Sequence, residues 1–217
     1  MSAVIDTGAD RATTFEVPVT SGRQVYLREV TPEDYRFLRA AECHGELGIR
    51  WRFRGSSLSP ERWVQSLWQS VLVQHVVVSR KEPTPLGLAL AYRPSFQDGH
   101  VYIATEAFRP VPRSPLMIFG SALFIEYVFR CWNFHKLYFE VAEYNMPQFE
   151  SGIGKLFEVE GRLRDHFWYD GRRWDQYHLA LYRETWERES QRILRTQLTG
   201  PPTQMRVRMP PRPGVQS

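Results

Sequence analysis

The polar side chains that could do chemistry are few in this sequence and lie far apart. His100 opens a predicted strand, and an imidazole there can accept a proton near neutral pH. Glu106, farther along the same strand, and Glu143, at the end of the next, are carboxylates that could take the same role. A lone histidine is also a common structural residue, so these three remain alternatives.

The two cysteines, Cys43 and Cys131, form no CxxC or Cys/His spacing. The sequence therefore predicts neither a disulfide framework nor a metal site, and both thiols are expected to be buried apolar residues.

The charge pattern disfavours nucleic acid as a partner. Of the formal net charge of +4, Arg206, Arg208 and Arg212 in the C-terminal tail supply three charges, which leaves the body close to neutral. No window approaches the roughly 18 apolar residues of a membrane span, and the N-terminus lacks the pattern of a signal peptide. We expect a cytoplasmic protein that binds no membrane.

Periodicity and turn signals predict several short strands with helices between them. Thr31-Pro32 and Ser59-Pro60 each pair an N-cap residue with a proline suited to the first helical turn. Asp170-Gly171 can supply the positive φ angles of a tight hairpin. The predicted strands cover residues 24–28, 73–79, 86–92, 100–108, 137–142, 162–169 and 173–182.

The centre of the chain predicts a β-α-β crossover. Residues 116–134 are apolar on nearly every side, which is typical of a helix buried within the fold, and Asn133 could close this helix in a left-handed conformation. The strand at 137–142 would then run parallel to that at 100–108. A further helix is expected before the final hairpin, which completes the order of elements.

Both ends of the chain lack apolar periodicity. Residues 1–20 mix small and polar types, and residues 199–217 are rich in proline and arginine, so both are expected to be disordered. A single domain is predicted over residues 21–198.

The order of these elements, with four local motifs, resembles the GNAT superfamily of N-acyltransferases, and within it the branch that includes the ribosomal-protein N-terminal acetyltransferases. The motifs are Leu27 to Asp34, Phe124 to Phe129, Leu137 to Val141 with Asn145, and Glu160 to Trp186. The resemblance implies an α/β (α+β mixed) fold, whose central, mostly antiparallel sheet has one parallel β-α-β crossover and flanking helices. It also implies acetyl-CoA or another acyl-CoA as co-substrate, an amine of a small molecule or protein as acceptor, and no metal, and it permits a homodimer.

The sequence departs from that family at the loop that binds the coenzyme A pyrophosphate. The matching segment is residues 110–117, where the family glycines are missing and Pro115 has no N–H to donate. Arg113, with Ser114, could bind the phosphates instead, although Arg113 could equally be a solvated loop residue.

A second departure concerns the family tyrosine that protonates the leaving thiolate, since Gly152 stands at its position. Tyr144 could replace that acid, or water could, and Tyr144 could also be a packing residue at the strand end. Asn145 resembles the family asparagine beside the pantetheine arm, although a turn-forming asparagine would look the same.

These observations leave two classes of function open. The first is an acyl-CoA-dependent N-acyltransferase, and the second is a GNAT-shaped binding or regulatory module that has lost affinity for the coenzyme. A donor carried on a carrier protein would also account for a weakened pyrophosphate loop.

Removal of residues 1–20 and 199–217 is expected to leave folding intact, because neither segment has the apolar spacing needed to pack on the domain. The check is the thermal melt of the trimmed protein. Loss of the cooperative transition would show that one end docks on the body.

Overall fold

The computed structural model describes residues 20–43, 48, 54–108 and 115–195. The segments expected to be disordered lie outside these residues, apart from Thr20, which pairs with Leu27 in a short first strand.

Eight strands of the described chain form one mixed sheet, in the order β1-β2-β3-β4-β5-β6-β8-β7. Every neighbouring pair is antiparallel except β5 and β6, which run parallel, as the sequence predicted. The strands are β1 (Thr20–Ser21), β2 (Val25–Glu29), β3 (Val71–Ser79), β4 (Pro85–Ser95), β5 (His100–Ala107), β6 (Lys136–Ala142), β7 (Glu158–Tyr169) and β8 (Arg172–Tyr182).

Helices cover both faces of this sheet, so the fold has three layers and the mixed α/β class is confirmed. The helices are α1 (Tyr35–Cys43), α2 (Pro60–Trp68), α3 (Leu116–Cys131) and α4 (Arg183–Arg195). Leu38 of α1 and Trp63 of α2 pack on one face in a buried cluster with Val76. Phe124 of α3 and Trp186 of α4 belong to the larger cluster on the opposite face.

Both predicted helix starts are confirmed. The Thr31 N–H donates to Asp34 Oδ2 at 2.9 Å, and Arg28 binds both oxygens of this carboxylate at 2.7 Å, which fixes the end of β2 to a 3-10 turn ahead of α1. The Ser59 side chain accepts from the Arg62 N–H at the start of α2.

The end of α3 differs from the prediction. Asn133 is not among the residues with positive φ, and the helix ends at Cys131 with an extended Trp132. Arg183 closes it instead, because its guanidinium donates to the carbonyls of Phe129, Trp132 and Phe134 at 2.7 to 2.8 Å. Cys131 was expected to be buried but is exposed, since this last turn reaches the surface.

Two elements near the hairpin also differ from the prediction. The segment after β6 forms 3-10 turns at Glu143–Gln148 and Glu150–Gly152 rather than a regular helix, because Pro147 lies inside it and Gly154 follows with φ of 73°. Helix α4 was not predicted, although Trp186 and Leu194 give it a buried face.

Gly120 allows α3 to lie close to the sheet, since a Cβ at this position would overlap the side chain of Val77 on β3. Glycine to alanine in a helix interior usually stabilises a protein by about 1 kcal/mol. We expect Gly120→Ala to destabilise this one by about 1 to 3 kcal/mol, because overpacking outweighs the gain in propensity. Urea denaturation measures the change, and the Val77→Ala background should relieve it. A stabilised Gly120→Ala protein would contradict the close approach.

Candidate functional site

The parallel strands β5 and β6 part midway along their length. Their register contains His100↔Lys136, Val101↔Leu137 and Tyr102↔Tyr138, and it stops there although both strands continue. Beyond Tyr102, β5 stays paired with β4, and β6 is paired with β8 along its full length. The two strands therefore open a cleft in the middle of the sheet.

A cavity of about 770 Å³ lies beside this cleft, on the face that carries α1 and α2. Its walls come from the loop before α2, from α2, from the central strands and from the β7–β8 hairpin. The described residues that line it are Arg54, Ser66, Gln69, Val71, Leu90, Tyr92, Arg93, Ala104, Glu140, Ala142, Tyr144, Asn145, Leu163, His166, Phe167, Gln176 and His178.

No protein-family model and no curated protein matches this sequence. Solved structures do match the fold. A spermidine N-acetyltransferase from Vibrio cholerae in complex with CoA and spermine is 18% identical, with a TM-score of 0.59 over 76% of this chain and 98% of that chain. A GCN5-related N-acetyltransferase from Brucella melitensis is 18% identical, with a TM-score of 0.62 over 81% and 82% of the two chains. A probable GNAT-family acetyltransferase from Chromobacterium violaceum is 16% identical, with a TM-score of 0.61 over 86% and 96%.

The chain has the GNAT fold. The resemblance drawn from the motifs is therefore confirmed at the level of fold. Within the described residues, no helix is long and apolar enough to cross a membrane, and no cluster of three or more His, Cys, Asp or Glu side chains could hold a metal ion.

Among the described residues that line the cavity, Glu140 of β6 is the one carboxylate, and it already has two partners. Arg93 forms an ion pair with its Oε2 atom, and the Tyr92 hydroxyl donates to the same oxygen at 3.0 Å. Burial alone would raise the pKa of Glu140, but the hydrogen bond and charge of Arg93, with the Tyr92 hydroxyl, outweigh it and hold the pKa below its ordinary value. Burial, together with the Glu140 charge, raises the pKa of Tyr92 well above its usual range.

His178 of β8 lies opposite Glu140 in the β6–β8 register. Its Nε2 atom is 3.0 Å from the side-chain amide nitrogen of Gln176, two residues earlier and on the same face of the sheet. Gln176 is buried, so this contact fixes the orientation of the imidazole in the cavity wall.

At the outer edge of the cavity, the loop before α2 contacts the β7–β8 hairpin. The Arg54 guanidinium lies 4.0 Å from the centre of the Phe167 ring, within the range of a cation–π contact. Arg54 has a φ of 49°, in the left-handed region that non-glycine residues rarely adopt. On the hairpin, Asp165 has a φ of 50° within a register shift between Leu163 and Phe167, which adjusts the position of Phe167.

The cavity contains some of the site residues predicted from sequence and not others. Tyr144 and Asn145 line it, and Tyr144 packs between the rings of Tyr169 and Trp174 at 5.0 and 5.2 Å. His100 lies outside the lining, at the closed end of the cleft, where its ring contacts Tyr102 and Tyr138.

The remaining predicted residues also lie outside the lining. Glu106 is buried farther along β5, opposite Leu88, and Glu143 accepts the Asp175 N–H at 3.2 Å. Arg113 and Ser114 lie outside the described residues.

His166 and His178 are cavity residues that the sequence reasoning did not select. A signal for His178 was present, because the two-residue alternation of the predicted strand places Gln176 and His178 on one face. The alternation does not predict how β8 pairs with β6, and this pairing is what places His178 opposite Glu140.

The structure describes residues 115–117, the end of the segment matched to the pyrophosphate loop, and Gly152. Helix α3 begins at Leu116 with Pro115 as its N-cap and no side-chain cap, and the Met117 side chain packs on Gly87 of β4, where a Cβ would lie 2.5 Å from its methyl carbon. Where the resemblance led us to expect a tyrosine, a Cβ on Gly152 would lie 2.8 Å from the ring of Phe157, so Phe157 fills the space beside that glycine.

We expect Glu140→Gln to lower the free energy of unfolding at neutral pH by about 1 kcal/mol or less, because the Arg93 pair is partly exposed and screened. The folded pKa of Glu140 lies below its unfolded value of about 4.3, so the stabilisation is fully present above that pH. It is lost as the pH falls through the folded pKa. Urea denaturation at pH values between about 7 and 3 should show the two proteins converging in acid. In an Arg93→Gln background the substitution should no longer destabilise the protein at neutral pH; a destabilisation that is the same at all pH values would contradict the ion pair.

Proposed function

We propose that this protein is an N-acyltransferase that transfers an acyl group, most simply acetyl, from coenzyme A to an amine. The observation that carries the proposal is the parting of β5 and β6 after Tyr102↔Tyr138, in a GNAT fold, beside a cavity on the α1 and α2 face. Two ligands can reach the cleft from opposite faces of the sheet. The acceptor amine enters from the cavity and the thioester from the face that carries α3.

The amine must lose a proton before it attacks the thioester carbonyl, and we assign this step to His178. The imidazole lies in the cavity wall beside Gln176; we assign the Gln176 amide the orientation in which its oxygen accepts the Nε2 proton, which leaves the Nδ1 lone pair to take a proton from the amine. Glu140 is a poorer base because Arg93 and Tyr92 already stabilise its ionised form. His100 and Glu106 remain candidates from the sequence, but neither lines the cavity.

In the reaction, the nitrogen–carbon bond forms as the carbon–sulfur bond breaks. One proton of the ammonium passes to His178 before the attack, and the thiolate of coenzyme A takes a proton from Tyr144 or from water. The second proton, which the nitrogen releases as the amide forms, restores that donor. Backbone N–H groups of β5 beyond Tyr102 that are directed toward β6 are the donors we assign to the carbonyl oxygen as it gains charge.

For the coenzyme we propose Asn145 beside the pantetheine arm, with Arg113 and Ser114 at the pyrophosphate. A weak grip on the coenzyme is expected, since α3 begins with a proline and no glycine precedes its first turn. This feature and the Phe157 ring beside Gly152 favour the second candidate, a binding or regulatory module of the same fold.

Calorimetric titration with acetyl-CoA and longer acyl-CoAs separates the two candidates. Binding at micromolar to millimolar concentration, with amine-dependent release of the free thiol, supports the enzyme. If no acyl-CoA binds at millimolar concentration, the protein is the binding module and not an acyltransferase.

If His178 is the base, His178→Ala should lower turnover by about a hundredfold or more, with little change in coenzyme affinity, because general-base assistance contributes on that scale. His100→Ala is the matched comparison, since both histidines are on strands that border β6 but His100 lies outside the cavity. The measurement is the rate of thiol release at saturating acyl-CoA. If His100→Ala lost most of its turnover while His178→Ala kept normal turnover, His100 would be the base instead.

A further inference from the structure

The charges in the cavity wall bear on the kind of amine it can accept. Among the described lining residues, Arg54 and Arg93 contribute two positive charges and Glu140 one negative charge, which gives a net charge of +1 with the histidines neutral. Glu140 is already paired with Arg93. A polyamine would therefore meet a net positive wall whose carboxylate is engaged.

Among the described residues that line the cavity, Arg54 is the charged side chain that is not paired with an opposite charge. Within the described part of the chain it contacts no carboxylate, and its guanidinium stacks on Phe167 at 4.0 Å. Its φ of 49° is followed by Gly55 with φ of 84°, so a tight turn directs the side chain to the cavity rim. Left-handed conformations at non-glycine residues cost energy and are found where a side chain must be aimed.

We propose that the acceptor is an amine that also carries a carboxylate, with the carboxylate bound by Arg54 and the ammonium directed toward Glu140 and His178. This inference rests on the proposed acyl transfer. A guanidinium binds a carboxylate through two parallel hydrogen bonds, and stacking on Phe167 leaves the edge of the guanidinium plane available to do so. The cavity, at about 770 Å³, is large enough for a free amino acid or for the first residues of a peptide.

The test compares pairs of amines in which the carboxylate is replaced, in the first pair by an ammonium and in the second by a neutral amide. Binding of 4-aminobutanoate is measured against 1,4-diaminobutane, and binding of an α-amino acid against its amide, by calorimetry or ligand-observed NMR. We expect the carboxylate-bearing member of each pair to bind about tenfold tighter or more, as expected for a charge-assisted hydrogen bond. A short peptide with a free N-terminus and an acidic second residue distinguishes a peptide source from a free amino acid.

Arg54→Gln should abolish this preference while leaving acetyl-CoA affinity unchanged. The control is Arg172→Gln, since Arg172 also stacks on an aromatic ring, that of Trp174 at 3.3 Å, but lies outside the cavity; it should keep the preference. Equal or tighter binding of the diamine, or a preference that survives Arg54→Gln, would overturn the inference. Because acceptor binding is measured without turnover, failure of this inference is distinct from failure to bind acetyl-CoA, which would contradict the proposed function.

Discussion

The cleft depends on how β5 and β6 satisfy their backbone hydrogen bonds. Each strand has an outer neighbour that continues to pair with it beyond the point where the two part: β4 pairs with β5 as far as Ala107, and β8 pairs with β6 as far as Ala142. Their shared edge can therefore open after Tyr102 without freeing either strand from the sheet. An opening in the middle of a sheet otherwise leaves polar backbone groups without partners, which is costly unless a ligand or water meets them.

Local backbone strain is concentrated around the cavity beside this cleft. Of the five non-glycine residues with positive φ in the described chain, Arg54 and Arg93 line the cavity, and Ser70 and Asp165 are next to residues that do. Two contacts fix the strained backbone of Arg93. Its N–H donates to the Ser70 carbonyl at 2.7 Å, and its side chain binds Glu140. Strained positions persist where surrounding contacts fix them, and they tend to cluster at functional sites.

Much of the fold could be predicted because its signals are local. The Asp170-Gly171 turn has the expected positive φ at both residues, and the start signals at Thr31 and Ser59 lie where the helices begin. The end of α3 could not be predicted in the same way. Its closing residue is Arg183, which is distant in sequence, so Asn133 was a plausible but wrong choice.

The site was harder to predict because its residues meet only through tertiary structure. Tyr144 and Asn145, which were selected through the GNAT resemblance, line the cavity because they directly follow β6. Arg54 gave no signal, because its position depends on a loop that meets Phe167 of a distant hairpin. His178 stood in a predicted strand, but the pairing of that strand with β6, which places it opposite Glu140, is not contained in the alternation of either strand.

The segment between β6 and the hairpin contains Gly152, where the resemblance to the GNAT family led us to expect a tyrosine. Phe139, Phe149 and Phe157 contact one another with ring centres 5.2 to 6.1 Å apart, and this cluster packs the 3-10 turns onto the sheet where a regular helix was expected. This apolar packing adds to the backbone hydrogen bonds of the turns, such as that from the Gly152 N–H to the Phe149 carbonyl at 2.8 Å. A tyrosine at Gly152 would have to displace Phe157 from this cluster. The same packing that stabilises the turns therefore leaves no room for a tyrosine at Gly152, so in the acyl transfer proposed above the thiolate would take its proton from Tyr144 on the cavity side or from water.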